Sequence, residues 1–211
     1  VRVIAIDGPA GSGKSTVART LAGRLELPYL DTGAMYRAVT FAALRRGVDP
    51  EDVDPVARVA VECELDVDQD GTTTVDGVDA TIEIRGPEVT RAVSIVAANP
   101  AVREELRRRQ REWAEAHGGG VVEGRDIGTV VFPDADLKVF LDAQPDVRAS
   151  RRSKEVTELS YETVAADLAR RDALDEGRDD SPLRTAADAF VIDTSHLSVD
   201  QIVEAVMEKL T

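Results

Sequence analysis

One cysteine, Cys63, and two histidines are all that 211 residues offer to thiol or soft-metal chemistry. A single thiol can form no intrachain disulfide and no cysteine-based zinc site, so a reducing, cytoplasmic setting is expected. Cys63 itself reads as a small core residue. Aromatic residues make up only 4% of the chain, which leaves Val, Ala and Leu to fill the core. No run approaches the roughly 20 apolar residues that cross a membrane. The chain opens on a strand-like run, leaving no room for a signal peptide, and the missing initiator Met suggests that the numbering omits a few residues. Basic residues are also outnumbered, 26 against 40 acidic, for a net charge of −14. Such a surface disfavours nucleic acid and anionic membranes as partners. A monomer acting on small molecules is the default expectation. If the substrate is an anion, the few basic residues must converge in one cleft.

What is present alternates. Short apolar runs at 3–6, 28–30, 121–122, 137–141 and 190–192 read as parallel strands buried on both faces. Helical patterns fill the intervals at 14–25, 33–46, 102–116, 145–154, 161–173 and 199–210. This alternation predicts a doubly wound α/β parallel sheet with ligands at the carboxyl ends of the strands. Two stretches break it. Residues about 62–86 carry two Asp-Gly pairs, Asp70-Gly71 and Asp76-Gly77, between short strands that include 80–84. They predict a small antiparallel insertion. Residues about 151–160 are polar and charged and predict a short mobile lid. The rest (1–61, 87–150 and 161–211) forms one core.

The strongest local signal is Gly8-Pro9-Ala10-Gly11-Ser12-Gly13-Lys14-Ser15, which fits the phosphate-loop pattern between a strand and a helix. Glycines let the backbone wrap phosphate oxygens, and the helix N-terminus points N–H groups at them. Lys14 neutralises the β- and γ-phosphates while the Ser15 hydroxyl ligates Mg²⁺. These eight residues, with the adjoining Thr16, form the candidate ATP-binding set. A guanine-reading Asn/Thr-Lys-x-Asp segment is missing after the late strand, where the chain reads Asp142-Ala143-Gln144-Pro145-Asp146. Residues 121–123 run into Gly124-Arg125-Asp126, placing an arginine where a metal-binding acid is expected. A second anion in the cleft follows, hence a kinase with a small phosphate-bearing acceptor.

Arginines at successive strand ends support this: Arg37, Arg125, Arg148, Arg151, Arg152, and Arg171 and Arg178 flanking Asp175, with Arg103 opening a helix. Their planar forks bind phosphate bidentately. Arg107, Arg108, Arg109 and Arg111 share a helix with Glu104, Glu105, Glu112 and Glu115 and read instead as a solvated, salt-bridged face. Arg45, Arg46 and Arg58 read the same way, and Trp113 reads as core.

Assembled in order, these segments resemble the bacterial cytidylate kinases along essentially the whole chain. The resemblance rests on Ile6-Asp7-Gly8-Pro9 with the phosphate loop and on Leu30-Asp31-Thr32-Gly33-Ala34-Met35-Tyr36-Arg37. It continues through Val93-Ser94 to Val102-Arg103 and the run from Glu123-Gly124-Arg125-Asp126 to Pro133-Asp134-Ala135. Arg171-Asp172, Asp175, Arg178, Ser181-Pro182-Leu183, Asp188-Ala189 and Asp193-Thr194 complete it. It implies a kinase moving the γ-phosphate of ATP to CMP or dCMP, with Lys14, Arg125, Arg178 and Arg152 as catalytic residues. Ser94, Arg103 and Asp126 would read the base, and Thr32, Arg37, Arg125 and Arg178 would hold the acceptor phosphate. Asp175 and Arg171 would reach the sugar, Arg148 and Arg152 the ATP, and the 62–86 insertion would belong to the monophosphate-binding region. The family often has Asp at position 123, where this chain has Glu. Asp31 and Asp126 both stand as candidates for a magnesium-bound water. A kinase for another small acceptor (UMP, AMP or a metabolite like shikimate) and a nucleotide-dependent switch are the alternatives.

Overall fold

The computed structural model describes residues 2–155 and 159–210 and divides into two compact units. One runs up to Tyr29 and resumes at Gly119; the other is Leu30–Gly118.

The first unit opens with β1 (Arg2–Asp7), the glycine-rich loop and α1 (Lys14–Leu25), whose limits match the sequence pattern. β2 (Tyr29–Asp31) starts at this unit's last residue. In the second unit, Asp31 caps α2 (Thr32–Arg45) by accepting from the Ala34 N–H at 3.0 Å. Then follow α3 (Val53–Glu62), β3 (Leu65–Val67), β4 (Thr73–Val75), β5 (Val78–Asp79), α4 (Pro87–Ala98) and α5 (Pro100–His117). β3, β4 and β5 form a three-stranded antiparallel sheet. Asp76 (φ 49°) and Gly77 (φ 75°) both take left-handed conformations in its tight turn, as an Asp-Gly hairpin requires.

Back in the first unit come β6 (Gly119–Gly124), a single π-turn at Ile127–Val131, β7 (Leu137–Asp142) and α6 (Pro145–Glu155). α7 (Tyr161–Glu176), β8 (Phe190–Asp193) and α8 (Val199–Glu208) complete it. The sheet order is β2-β6-β1-β7-β8, and β6, β1, β7 and β8 pair in parallel. All six residues of β6 and the last five of β1 are buried, which is why residues 3–6 and 121–122 within them read as unbroken apolar runs. On one face Ile4, Ile6, Val121, Val139 and Leu141 pack with Val17 and Leu21 of α1 and Ile202 and Val206 of α8. Full burial of each such side chain stabilises by about 1.5–3 kcal/mol. α6 and α7 add a smaller cluster of Ala149, Val164 and Leu168 around Ala10 of the loop.

The doubly wound sheet and the small antiparallel sheet agree with the sequence. Three local features differ from it. Residues 80–84, expected as a strand, form a turn and a 3₁₀ turn at Glu83–Arg85. The Ile84 N–H bonds the Ala80 carbonyl at 2.9 Å, so Ala80 and Ile84 are buried at helical spacing while Ile82 is 80% exposed. Helices α3 and α4 were not anticipated, because valine-rich segments carry weak helix propensity. Their apolar residues nevertheless recur at Val56, Val59 and Ala60, and at Val89, Ala92, Val93 and Val96. Of the expected lid at 151–160, residues 151–155 continue α6, and 156–158 lie outside the described residues.

Candidate active site

The phosphate loop leaves the carboxyl end of β1. Gly8 has φ 151°, and a Cβ there would stand 2.1 Å from the Leu141 carbonyl oxygen, so no larger residue fits. Gly13 precedes α1 in a left-handed conformation with no side-chain cap. The first-turn N–H groups are thereby left for an anion. The loop is tied from outside through its carbonyls. Arg148 donates to Ala10 O at 3.2 Å, and Thr194 donates to Ser12 O at 3.0 Å. Arg151 grips Thr194 at 2.9 Å and Ser12 O at 3.4 Å. The buried Ser12 hydroxyl has no hydrogen-bond partner. A loop that turns its carbonyls out and keeps N–H groups and an unused hydroxyl is suited to phosphate.

Lys14 is buried and donates to Pro9 O at 2.7 Å. Burial, aided by Arg125, pushes its ammonium down to about 7, against the pull of Glu123, Asp7 and Asp175. Ser15 and Thr16 are exposed at the start of α1. The Ser15 hydroxyl donates to Glu123 Oε2 at 3.0 Å, and the Tyr29 hydroxyl donates to the other oxygen, Oε1. Glu123 is therefore the acid beside the Ser15 hydroxyl, the candidate magnesium ligand. Asp31 serves as a helix cap, and Asp126 lies buried at the start of the π-turn. The signal for Glu123 was available: an apolar strand ending in an acid is the usual magnesium-side pattern. Among the described residues no three His, Cys, Asp or Glu cluster as a metal cage. One hydroxyl and one carboxylate suit Mg²⁺, which keeps waters and substrate phosphates as most of its ligands.

Arginines gather around Asp175. Arg125 Nε donates to its Oδ2 at 3.0 Å, and Arg178 bonds its Oδ1. Burial alone would push the Asp175 carboxyl up, but Arg125, Arg178 and Arg171 outweigh it and hold it below the usual range. Arg171 has a buried Nε with no hydrogen-bond partner, and burial together with Arg125 pushes its guanidinium down to about 10. Three cations on one carboxylate leave net positive charge ready for a phosphate. Arg148 is engaged by the Asp172 carboxylate at 2.6 Å and the Ala143 carbonyl at 3.1 Å, besides the loop. It acts here as a brace for that loop. Arg152 pairs with Glu155 at 2.7 Å on a partly exposed face.

The second unit holds the remaining candidates. Thr32 is the buried first residue of α2. Arg37 donates to Ile84 O and to the Thr90 hydroxyl, each at 2.9 Å. Ser94 is half-buried on α4. Arg103, only 1% exposed, donates to Ala97 O at 3.1 Å and lies 5.4 Å over the Tyr36 ring. A guanidinium this buried needs a dedicated environment. Arg108 pairs with Glu105 and Glu112 on the exposed face, as expected. Arg109 does more, donating to the carbonyls of Ala60, Val61 and Cys63 at the end of α3. Trp113 is half-buried and stacks on His117 at 4.6 Å, outside the core to which its spacing assigned it.

The family model described as cytidylate kinase matches residues 4–211. A cytidylate kinase of Mycobacterium avium (strain 104) is 51% identical over 209 residues, covering 96% of this chain and 92% of that one. A cytidylate kinase of Pelotomaculum thermopropionicum is 49% identical over 217 residues, covering 99% of this chain and 95% of that one. Among solved structures, a sugar kinase from Janibacter sp. superposes with a TM-score of 0.52 at 18% identity, covering 100% of this chain and 94% of that one. That likeness concerns the fold alone.

Proposed function

The chain belongs to the cytidylate kinase family, and on that premise we propose that it moves the γ-phosphate of ATP to CMP or dCMP, giving CDP or dCDP. The observation that carries this reading is the cluster of Arg125, Arg171 and Arg178 on Asp175, of which Arg125 and Asp175 also act on the Lys14 ammonium. It offers a second anion site in the unit that holds the phosphate loop, which a nucleotide switch has no use for.

ATP lies on the loop from Gly8 to Ser15 with Thr16, and Arg148 and Arg152 serve its side of the site. Ser15 and Glu123 would hold Mg²⁺, and the ion would supply neutralisation of phosphate charge. The acceptor phosphate is held by Arg37, Arg125 and Arg178 with Thr32, and the sugar by Asp175 and Arg171. One of its oxygens bonds to the γ-phosphorus while the bond to the bridging oxygen breaks and ADP leaves with the electron pair. That attacking oxygen is ionised near neutral pH, since a phosphomonoester loses its second proton near pH 6. No strong general base is required. Lys14, Arg125, Arg152 and Arg178 stabilise the charge on the transferring group.

Base choice follows from hydrogen-bond polarity. Cytosine offers an exocyclic amino donor, which a carboxylate accepts, and Asp126 takes this role. Ser94 and Arg103 donate to the ring acceptors. Uracil presents an acceptor in place of the amino group and would set a lone pair against Asp126. The 62–86 segment belongs to the monophosphate-binding region. The protein acts in the cytoplasm as a monomer on small nucleotides, without nucleic-acid or membrane partners. The acidic net charge counts against nucleic acid and anionic membranes as partners.

ATP labelled in its γ-phosphate tests the reaction. Label is expected in CDP when CMP and Mg²⁺ are both present, and to be lost when Mg²⁺ is chelated. Label released as inorganic phosphate, with none in CDP, contradicts the reading.

A further inference from the structure

Asp7 ends β1, one residue before the phosphate loop, and no role above uses it. It is 5% exposed. Its Oδ1 accepts the Ile127 N–H at 2.8 Å, and its Oδ2 accepts the Gly128 N–H at 2.7 Å. These are the first two N–H groups of the π-turn Ile127–Val131, which has no side-chain cap from Asp126. The first N–H groups of a helical turn have no partner within it and must find one elsewhere. A carboxylate 120 residues away in sequence satisfies two at once.

The residues just before this turn are Arg125 and Asp126, and main-chain bonds continue the constraint. Asp126 O accepts from Val130 at 2.9 Å and Val131 at 3.1 Å. β1 and β6 also run in register up to the pair Asp7 and Gly124. Arg125 and Asp126 therefore leave the sheet at a point fixed on both sides. Strand pairing holds the residue before them, and the Asp7 carboxylate holds the two residues after them. An acid is costly here. Burial pushes Asp7 up to about 6 and the like charge of Asp126 adds to this, while the two N–H bonds and Lys14 pull it back. An amide in its place could accept with one oxygen only and would turn its NH₂ toward the other N–H. The two-acceptor geometry calls for a carboxylate.

We propose that Asp7 is a positioning residue for the acceptor: it pins the turn carrying Arg125 and Asp126 to the strand that launches the phosphate loop. The acceptor's base and phosphate contacts are thereby held at a fixed place relative to the transferring phosphate. Misplacement by about 1 Å can cost a hundredfold in rate. The inference rests on the roles proposed above for Arg125 and Asp126.

The test is Asp7→Asn, with KM for CMP, kcat, and ATP affinity measured by calorimetry without acceptor. KM for CMP is expected to rise at least tenfold and kcat to fall, with ATP affinity within threefold of wild type. The KM effect should shrink in an Asp126→Ala background, since residues acting through one another are not additive. Equal losses for both nucleotides, or full additivity, would overturn the positioning role. If Asp7→Asn does not fold, amide exchange in the wild type decides. The Ile127 and Gly128 N–H groups are expected among the slowly exchanging amides, and rapid exchange there contradicts the clamp. Label transfer to CMP by the wild type separates failure of this inference from failure of the proposed reaction.

Discussion

Replacing Lys14 by Met is expected to lower turnover by about a hundredfold to a thousandfold while leaving the protein folded and more stable than wild type. The loss follows from phosphoryl transfer itself, which depends on placing positive charge where charge is redistributed. Losing one such preorganised group costs on the order of 10²–10³ in rate. The gain follows from burial. Lys14 is 6% exposed, and its ammonium is pushed down to about 7 by desolvation and Arg125. Met keeps the stem's packing and removes the buried charge. The sign of the pH dependence follows from linkage. With a folded-state value near 7 and an unfolded value of 10.5, the unfolded chain binds one more proton between these limits. Wild-type stability therefore rises with pH across that window. The stability gap in favour of Lys14→Met should be widest at and below pH 7 and narrow toward pH 10. Thermal unfolding of both proteins at pH 6.5 and 9 measures it. A variant with near-normal turnover removes Lys14 from the mechanism. A variant less stable than wild type at both pH values refutes the burial argument.

Asp126→Ala should abolish base selection and spare the nucleotide loop. A hydrogen bond to a charged group contributes about 1.5–3 kcal/mol, and leaving its buried partner unmatched adds to the loss. kcat/KM for CMP is expected to fall about a hundredfold, with UMP little changed and ATP affinity within threefold. The preference for CMP over UMP should then collapse. The π-turn itself should persist, because Asp126 contributes to it through its main-chain oxygen. Removing a like charge beside Asp7 should relieve that carboxyl. Parallel losses for CMP and UMP would assign Asp126 to general acceptor positioning and not to base reading.

Local periodicity carried most of the fold. The limits of α1 and the strands β1, β7 and β8 are legible because buried parallel strands are continuous apolar runs and the phosphate loop is a fixed spacing. Residues 80–84 misled because three apolar residues at spacing two fit a strand, whereas burial selects only Ala80 and Ile84. Helices α3 and α4 were hidden by valines, which favour strands locally and were overruled by packing. In the site, residue types were legible and their partners were not. Arg148 reads as an arginine on the ATP side, but its bonds to Ala10, Ala143 and Asp172, which brace the loop, are not legible in the sequence. Arg151, which the sequence places among the phosphate-facing arginines, holds the same loop through Thr194. Asp7 and Glu123 act through partners more than 100 residues distant, and no local spacing encodes such a pairing.

Choice of the acceptor by its base is tested by a coupled assay for ADP release with ATP and Mg²⁺, offering CMP, dCMP, UMP, AMP and GMP separately. Strong release with CMP or dCMP, weak release with UMP and almost none with the purines is the predicted result. Release that no monophosphate stimulates would contradict it, leaving a phosphate loop without a nucleotide acceptor.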